Sequence, residues 1–116
     1  MRYANPLQLA EDIATLDLLS NERVALGVSR GSPEPADKGW ESFGFTAQAD
    51  NGADLARDHF ERFMAALRGE GMAVSAPLDR QYPRMYRPGI DLPVLPHSPG
   101  ADRRIWWGAG SFESAE

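Results

Sequence analysis

Only two stretches of this chain have the character of inner strands, and residues 29–103 lie between them. Val24-Ala25-Leu26-Gly27-Val28 is an unbroken apolar run, and Arg104-Ile105-Trp106-Trp107-Gly108 is its aromatic counterpart. A continuous apolar run with β-branched residues marks a parallel strand covered on both faces, so strand 24–28 is expected to be buried on both sides. Parallel neighbours need a long crossover, normally helical. The spacing supplies one over 53–68, where Phe60, Phe63, Met64 and Leu67 form a stripe and Gly69 stands at the C′ position.

A helix is also expected ahead of the first strand, over 5–20. Asn5 offers an N-cap oxygen, Pro6 suits the first helical position, and Gln8 stands where it would complete a capping box. Leu9, Ile13 and Leu16 form the expected apolar stripe, with Ala10 and Ala14 permitting close approach and Glu11, Asp12 and Asp17 facing water. Ser20-Asn21 ends this helix, and a short turn leads into the strand. Helix, strand, helix, strand is the alternation of an α/β fold with a parallel sheet. Two inner strands cannot form such a sheet alone, so others must come from a partner chain or, imperfectly, from residues 70–100.

Length sets a further limit. At 116 residues the chain is one domain at most and too short for a complete (β/α)8 barrel, which takes about 250 residues. Six of its nine prolines lie between residues 70 and 100, which predicts a proline-rich irregular insertion with short edge strands at most. Residues 29–52 are rich in Gly, Pro, Ser and Asp, with Trp40, Phe43 and Phe45 interspersed, as suits a long loop over a pocket mouth. Ser111 to Glu116 reads as the first turn of a helix that the chain does not finish.

Composition excludes several functions. Seventeen acidic against twelve basic residues, net charge −5, leave no electrostatic footprint for nucleic acid. No apolar run approaches the roughly 20 residues of a membrane helix and the N-terminus has no signal core, so a cytoplasmic location is expected, with no membrane partner. The absence of cysteine removes thiol nucleophiles and thiolate metal sites. His59 and His97 lack a spaced carboxylate–histidine motif, so no metal is expected. Gly27-Val28-Ser29-Arg30-Gly31 and Gly108-Ala109-Gly110 fit neither the dinucleotide fingerprint nor the P-loop. Taken alone, Arg30 reads as a surface arginine pairing with Glu34 or Asp37 rather than as a phosphate ligand, and the serines as ordinary loop and cap residues. In a strand, Trp106 and Trp107 must point to opposite faces.

Residues Pro6 to Ser20 followed by Arg23-Val24-Ala25-Leu26-Gly27-Val28-Ser29-Arg30-Gly31, and then Ile105-Trp106-Trp107-Gly108-Ala109-Gly110-Ser111 with Glu113-Ser114-Ala115-Glu116, resemble the bacterial luciferase-like family of flavin-dependent monooxygenases. The resemblance covers nearly the whole chain. It implies an incomplete TIM-barrel segment over residues 1–116, from the helix after the third barrel strand to the fifth strand and the start of its helix. It also implies a flavin-dependent oxidoreductase in which reduced flavin and dioxygen oxidise a small organic substrate, with this segment alone inactive.

The resemblance further implies which residues hold the cofactor. Arg30 matches an arginine that grips the flavin phosphate, a role suited to a permanently charged guanidinium fork. Gly31 and Ser32 follow it, Ser32 giving a backbone N–H. Ser111 and Ser114 match hydroxyl residues near the phosphate at the start of a helix, where free N–H groups favour an anion. Ser29 stands where luciferase has a cysteine beside the reactive flavin carbon, so a thiol role is excluded; Gly110 stands where luciferase has a glutamate. The implied cofactor is FMN, with a deazaflavin coenzyme as the alternative. The implied partners are the small organic substrate, a separate flavin reductase and further copies of the chain in a homo-oligomer. The alternative function is a non-catalytic truncated protein whose exposed sheet edges pair it with itself or another barrel subunit.

Overall fold

The computed structural model describes residues 1–29, 36–81 and 87–108. Helix α1 spans Pro6–Leu19, strand β1 Leu26–Ser29, helix α2 Ala53–Leu67, strand β2 Gly71–Val74, strand β3 Asp91–Pro93 and strand β4 Ile105–Gly108. The first strand therefore begins and ends slightly later than the apolar run suggested. Asn5 caps α1 as expected, its side-chain oxygen accepting from the N–H groups of Leu7 and Gln8 at 3.0 and 3.2 Å. Gln8 completes no capping box; its amide donates instead to Asp12 one turn on, at 3.1 Å.

β1 and β4 pair in parallel, with Leu26 opposite Ile105, Gly27 opposite Trp106, Val28 opposite Trp107 and Ser29 opposite Gly108. α1 and α2 pack on each other, and Leu26 and Ile105 face the core they form from Ala10, Ile13, Phe63, Ala66 and Leu67. The alternation is that of a sheet covered on one side. Gly27, Ser29, Trp106 and Gly108 are exposed while Leu26, Val28, Ile105 and Trp107 are half-buried, so β1 is not covered on both faces as its apolar run implied. Ala25 and Gly27 take the exposed places in the run, which is why it reads as continuously apolar. The two tryptophans do part company: Trp107 lies 4.9 Å from Phe60 of α2, whereas Trp106 is 68% exposed.

Among the described residues, 70–100 supply no strand to this sheet. β2 and β3 pair antiparallel with each other as a separate two-stranded sheet, and Ser75 latches the connection behind them: its N–H donates to the Ile90 carbonyl at 2.8 Å and its hydroxyl accepts from the Ile90 N–H at 2.9 Å.

α1 buries Ala10, Ile13 and Ala14 and packs Leu9 against the core as expected, but the stripe departs at its C-terminal end. Pro6, Ala10, Ile13, Ala14 and Asp17 face inward, and Leu16, Leu18 and Leu19 are exposed. Small residues win the interface because they let α2 approach closely, and the carboxylate at its end is neutralised by partners far along the chain. Asp17, expected to face water, is fully buried. It accepts from the Val24 N–H at 3.1 Å, the Ser98 hydroxyl at 2.6 Å and the Arg104 guanidinium at 2.5 Å, while Arg104 also donates to the Val24 carbonyl at 2.9 Å. This clamp joins the end of α1 to the starts of β1 and β4.

Candidate functional site

The parallel register brings the C-terminal ends of β1 and β4 together, Ser29 beside Gly108. In α/β sheets this is the end at which ligands bind. Of the residues singled out for the cofactor, Ser29 is the one placed: it is exposed, at the last position of β1. Arg30, Gly31, Ser32, Gly110, Ser111 and Ser114 lie outside the described residues.

Among the described residues, no side chain covers the glycines of the open sheet face leading to these ends. A side chain added at Gly27 would meet nothing within 4 Å, and one at Gly108 would meet only the Ser29 Cβ at 3.5 Å and the Val28 carbonyl oxygen at 3.7 Å. A ligand reaching this face therefore meets backbone, the Ser29 hydroxyl and the Trp106 ring. That surface suits a planar aromatic group.

Beside the end of β1 lies a cluster built from the chain's first residues, the loop before α2 and α2 itself. Met1 donates its nitrogen to the Ser29 carbonyl at 2.7 Å, and its own carbonyl lies 2.7 Å from Nδ1 of His59. Burial lowers the pKa of the Met1 amino group, with a smaller contribution from the neighbouring Arg2 charge. Arg2 is buried, donates to the Asn51 carbonyl at 3.2 Å, and holds its guanidinium 5.6 Å from the Trp40 ring, within cation–π range. Trp40 is 2% exposed, and its indole N–H has no hydrogen-bond partner among the described residues. The start of α2 is tied down by Asp54, whose carboxylate accepts from the N–H groups of Gln48 and Ala49 at 2.6 and 2.9 Å; these bonds hold its pKa below the usual 3.8.

Sequence reasoning gave His59 no role beyond an unlikely metal ligand. Its position four residues before Phe63, on the buried stripe of α2, was the available signal. Among the described residues no group of three or more His, Asp or Glu is arranged to hold a metal ion, and no helix is long and apolar enough to cross a membrane.

A family model for luciferase-like monooxygenases matches residues 2–116. The chain belongs to the luciferase-like monooxygenase family. Its mixed helix and strand content agrees with that membership, and the family as a class comprises flavin-dependent oxidoreductases. No curated protein matches the chain.

Proposed function

We propose that the chain forms one sector of a (β/α)8 flavin-dependent oxidoreductase and contributes the phosphate end of its FMN site. The observation that carries this reading is the pairing of Ser29 with Gly108 at the C-terminal ends of two parallel strands. Both phosphate-binding segments, Arg30 to Ser32 and Gly110 to Ser114, leave from those neighbouring points in the chain. Arg30 holds the phosphate through its guanidinium, and Ser32, Ser111 and Ser114 add hydroxyl or backbone donors. Gly27, Ser29 and Trp106 offer the flat surface along which the rest of the cofactor lies. When bound and reduced, the flavin supplies the electrons with which dioxygen oxidises a small organic substrate. Two strands enclose no flavin ring, so the substrate pocket draws on further strands beyond this pair.

The test is a comparison of FMN with riboflavin, which lacks the phosphate, titrated by flavin fluorescence. The expected result is weak binding that favours FMN, with Arg30→Ala removing about ten- to a hundredfold of the preference, as loss of a charge-assisted bond implies. Equal affinity for the two flavins in the wild-type protein overturns the proposal.

A second reading, self-association without catalysis, is favoured by the exposure of Trp106 together with Leu16, Leu18 and Leu19. Sedimentation at rising protein concentration tests it; a monomer at every concentration excludes it.

A further inference from the structure

We infer that His59 is a positioning residue for the phosphate end of the site, acting through a strap formed by Met1, Arg2 and Tyr3. The inference rests on the assignment of Arg30 and its neighbours to the flavin phosphate. A residue that grips an anion is useful only when the backbone leading into it is held to within about half an ångström. The residue that leads into Arg30 is Ser29, and its carbonyl is held by the strap.

The connection runs through two short hydrogen bonds. His59 is 5% exposed in the middle of α2. A carbonyl oxygen only accepts, so the 2.7 Å contact between Nδ1 and Met1 O requires the ring to carry its proton on Nδ1 and donate it. Met1 then donates its nitrogen to the Ser29 carbonyl, also at 2.7 Å. A rigid helix is thereby linked to the last residue of β1 through one intervening residue. Phe45 fixes the other side of the imidazole, edge-on with ring centroids 4.5 Å apart, so the ring has little room to turn away.

The next two residues hold the strap against the loop before α2. Arg2 donates to the Asn51 carbonyl and lies over Trp40. Gly52 is required beneath it: its φ is +72°, and a Cβ there would fall 2.7 Å from the Arg2 Cδ and 3.1 Å from the Trp40 ring. Tyr3 meets Phe43 edge-on at 5.4 Å, and its hydroxyl lies where a side chain at Gly39 would have to go, 2.5 Å from that Cβ position. Two glycines thus leave the space the strap occupies. A leucine at position 59 would serve packing against the core equally well. What histidine adds is one directed donor, and that donor is spent on the strap.

The test uses the full chain with His59→Leu, which removes the donor, and His59→Asn, whose side-chain amide nitrogen can stand near the place of Nδ1. FMN and riboflavin affinities are measured by fluorescence, and exchange of the Val28 and Ser29 backbone amides by NMR. The expected result is that His59→Leu weakens FMN binding about three- to tenfold, the worth of one neutral hydrogen bond, and leaves riboflavin binding unchanged. Amide exchange at the end of β1 should accelerate in the same variant, and His59→Asn should restore both readouts. FMN preference that depends on Arg30 but is untouched in His59→Leu overturns the inference and leaves the flavin reading standing. Equal binding of the two flavins to the wild type overturns the flavin reading instead. In that case unchanged exchange in His59→Leu separately overturns the hold of the strap on β1, and acceleration rescued by His59→Asn upholds that hold alone. A general loss of stability would lower both flavin affinities together and would not be rescued by His59→Asn, which also overturns the positioning role.

Discussion

Asp17 shows how much of this structure depends on a single side chain. A buried carboxylate is costly to ionise, and burial alone would raise its pKa. The opposing contributions prevail: the Ser98 hydroxyl, the Val24 N–H and the Arg104 guanidinium hold it below the ordinary 3.8. A group whose folded pKa is depressed stabilises the fold above its unfolded value and loses that contribution as pH falls through the folded one. Asp17→Asn is therefore expected to cost about 2–4 kcal/mol at pH 7, because it leaves the half-buried Arg104 without its counter-charge. Urea unfolding of both proteins from pH 7 to pH 2 checks this. The gap between wild type and variant should be constant down to about pH 4 and should narrow below 3.8. A gap that persists undiminished at pH 2 would show that the charge of Asp17 is irrelevant and only its shape matters.

At the scale of elements, the two turns that close the helices contrast in how well their residues suit them. After α2, Gly69 adopts φ +82° and the bonds Gly69 N–H to Ala66 O and Glu70 N–H to Ala65 O form the paired closure of a Schellman motif. After α1, Asn21 and Glu22 adopt φ +60° and +63° without any glycine. Asn tolerates this region; Glu does so at a cost of about 1–2 kcal/mol, part of which glycine would return as extra freedom of the unfolded chain. Glu22→Gly should raise stability by about 0.5–1 kcal/mol, and Gly69→Ala should lower it by at least about 1 kcal/mol, since its new methyl would also press on the His97 ring at 3.3 Å. Thermal melts of the two variants check both signs. These elements also show what could be read in advance. The extent of α2, its core stripe and the Gly69 terminus follow from local spacing, as does the capping of α1 by Asn5. The C-terminal end of the α1 stripe did not, because Leu16 continues the helical spacing of Leu9 and Ile13 yet is exposed, while Asp17 takes the inward place. Asp17 turns inward only because Ser98 and Arg104, some eighty residues on, meet it there. Of the site, the two strand ends were legible and their pairing is observed; the strap was not, since nothing local to Met1 or His59 announces a contact across 58 positions.

The whole molecule has more surface than a chain of its size normally keeps. Its accessible area is 8072 Å², against about 6,300 Å² expected for a folded monomer of this mass, and its radius of gyration is 16.3 Å, against about 13 Å for a compact domain of this length. The one-sided sheet contributes exposed surface. Two helices cover Leu26 and Ile105, while Trp106 on the other side is 68% exposed, and the β2–β3 pair forms a second small sheet instead of extending the first. A core this thin leaves little margin once chain entropy is set against it. Any association that covers the open face would then appear as stability that depends on protein concentration. The melting temperature is expected to rise by several degrees between micromolar and hundred-micromolar protein. Trp106→Lys should abolish that dependence while leaving the melt at the lowest concentration nearly unchanged, since an exposed position contributes little to the monomer's own fold. A melting temperature independent of concentration in the wild type would instead mean that α1, α2 and the β1–β4 pair are self-sufficient, with the bare face of Gly27, Ser29 and Trp106 held open by the monomer itself and accessible to a flavin without competition from a second copy.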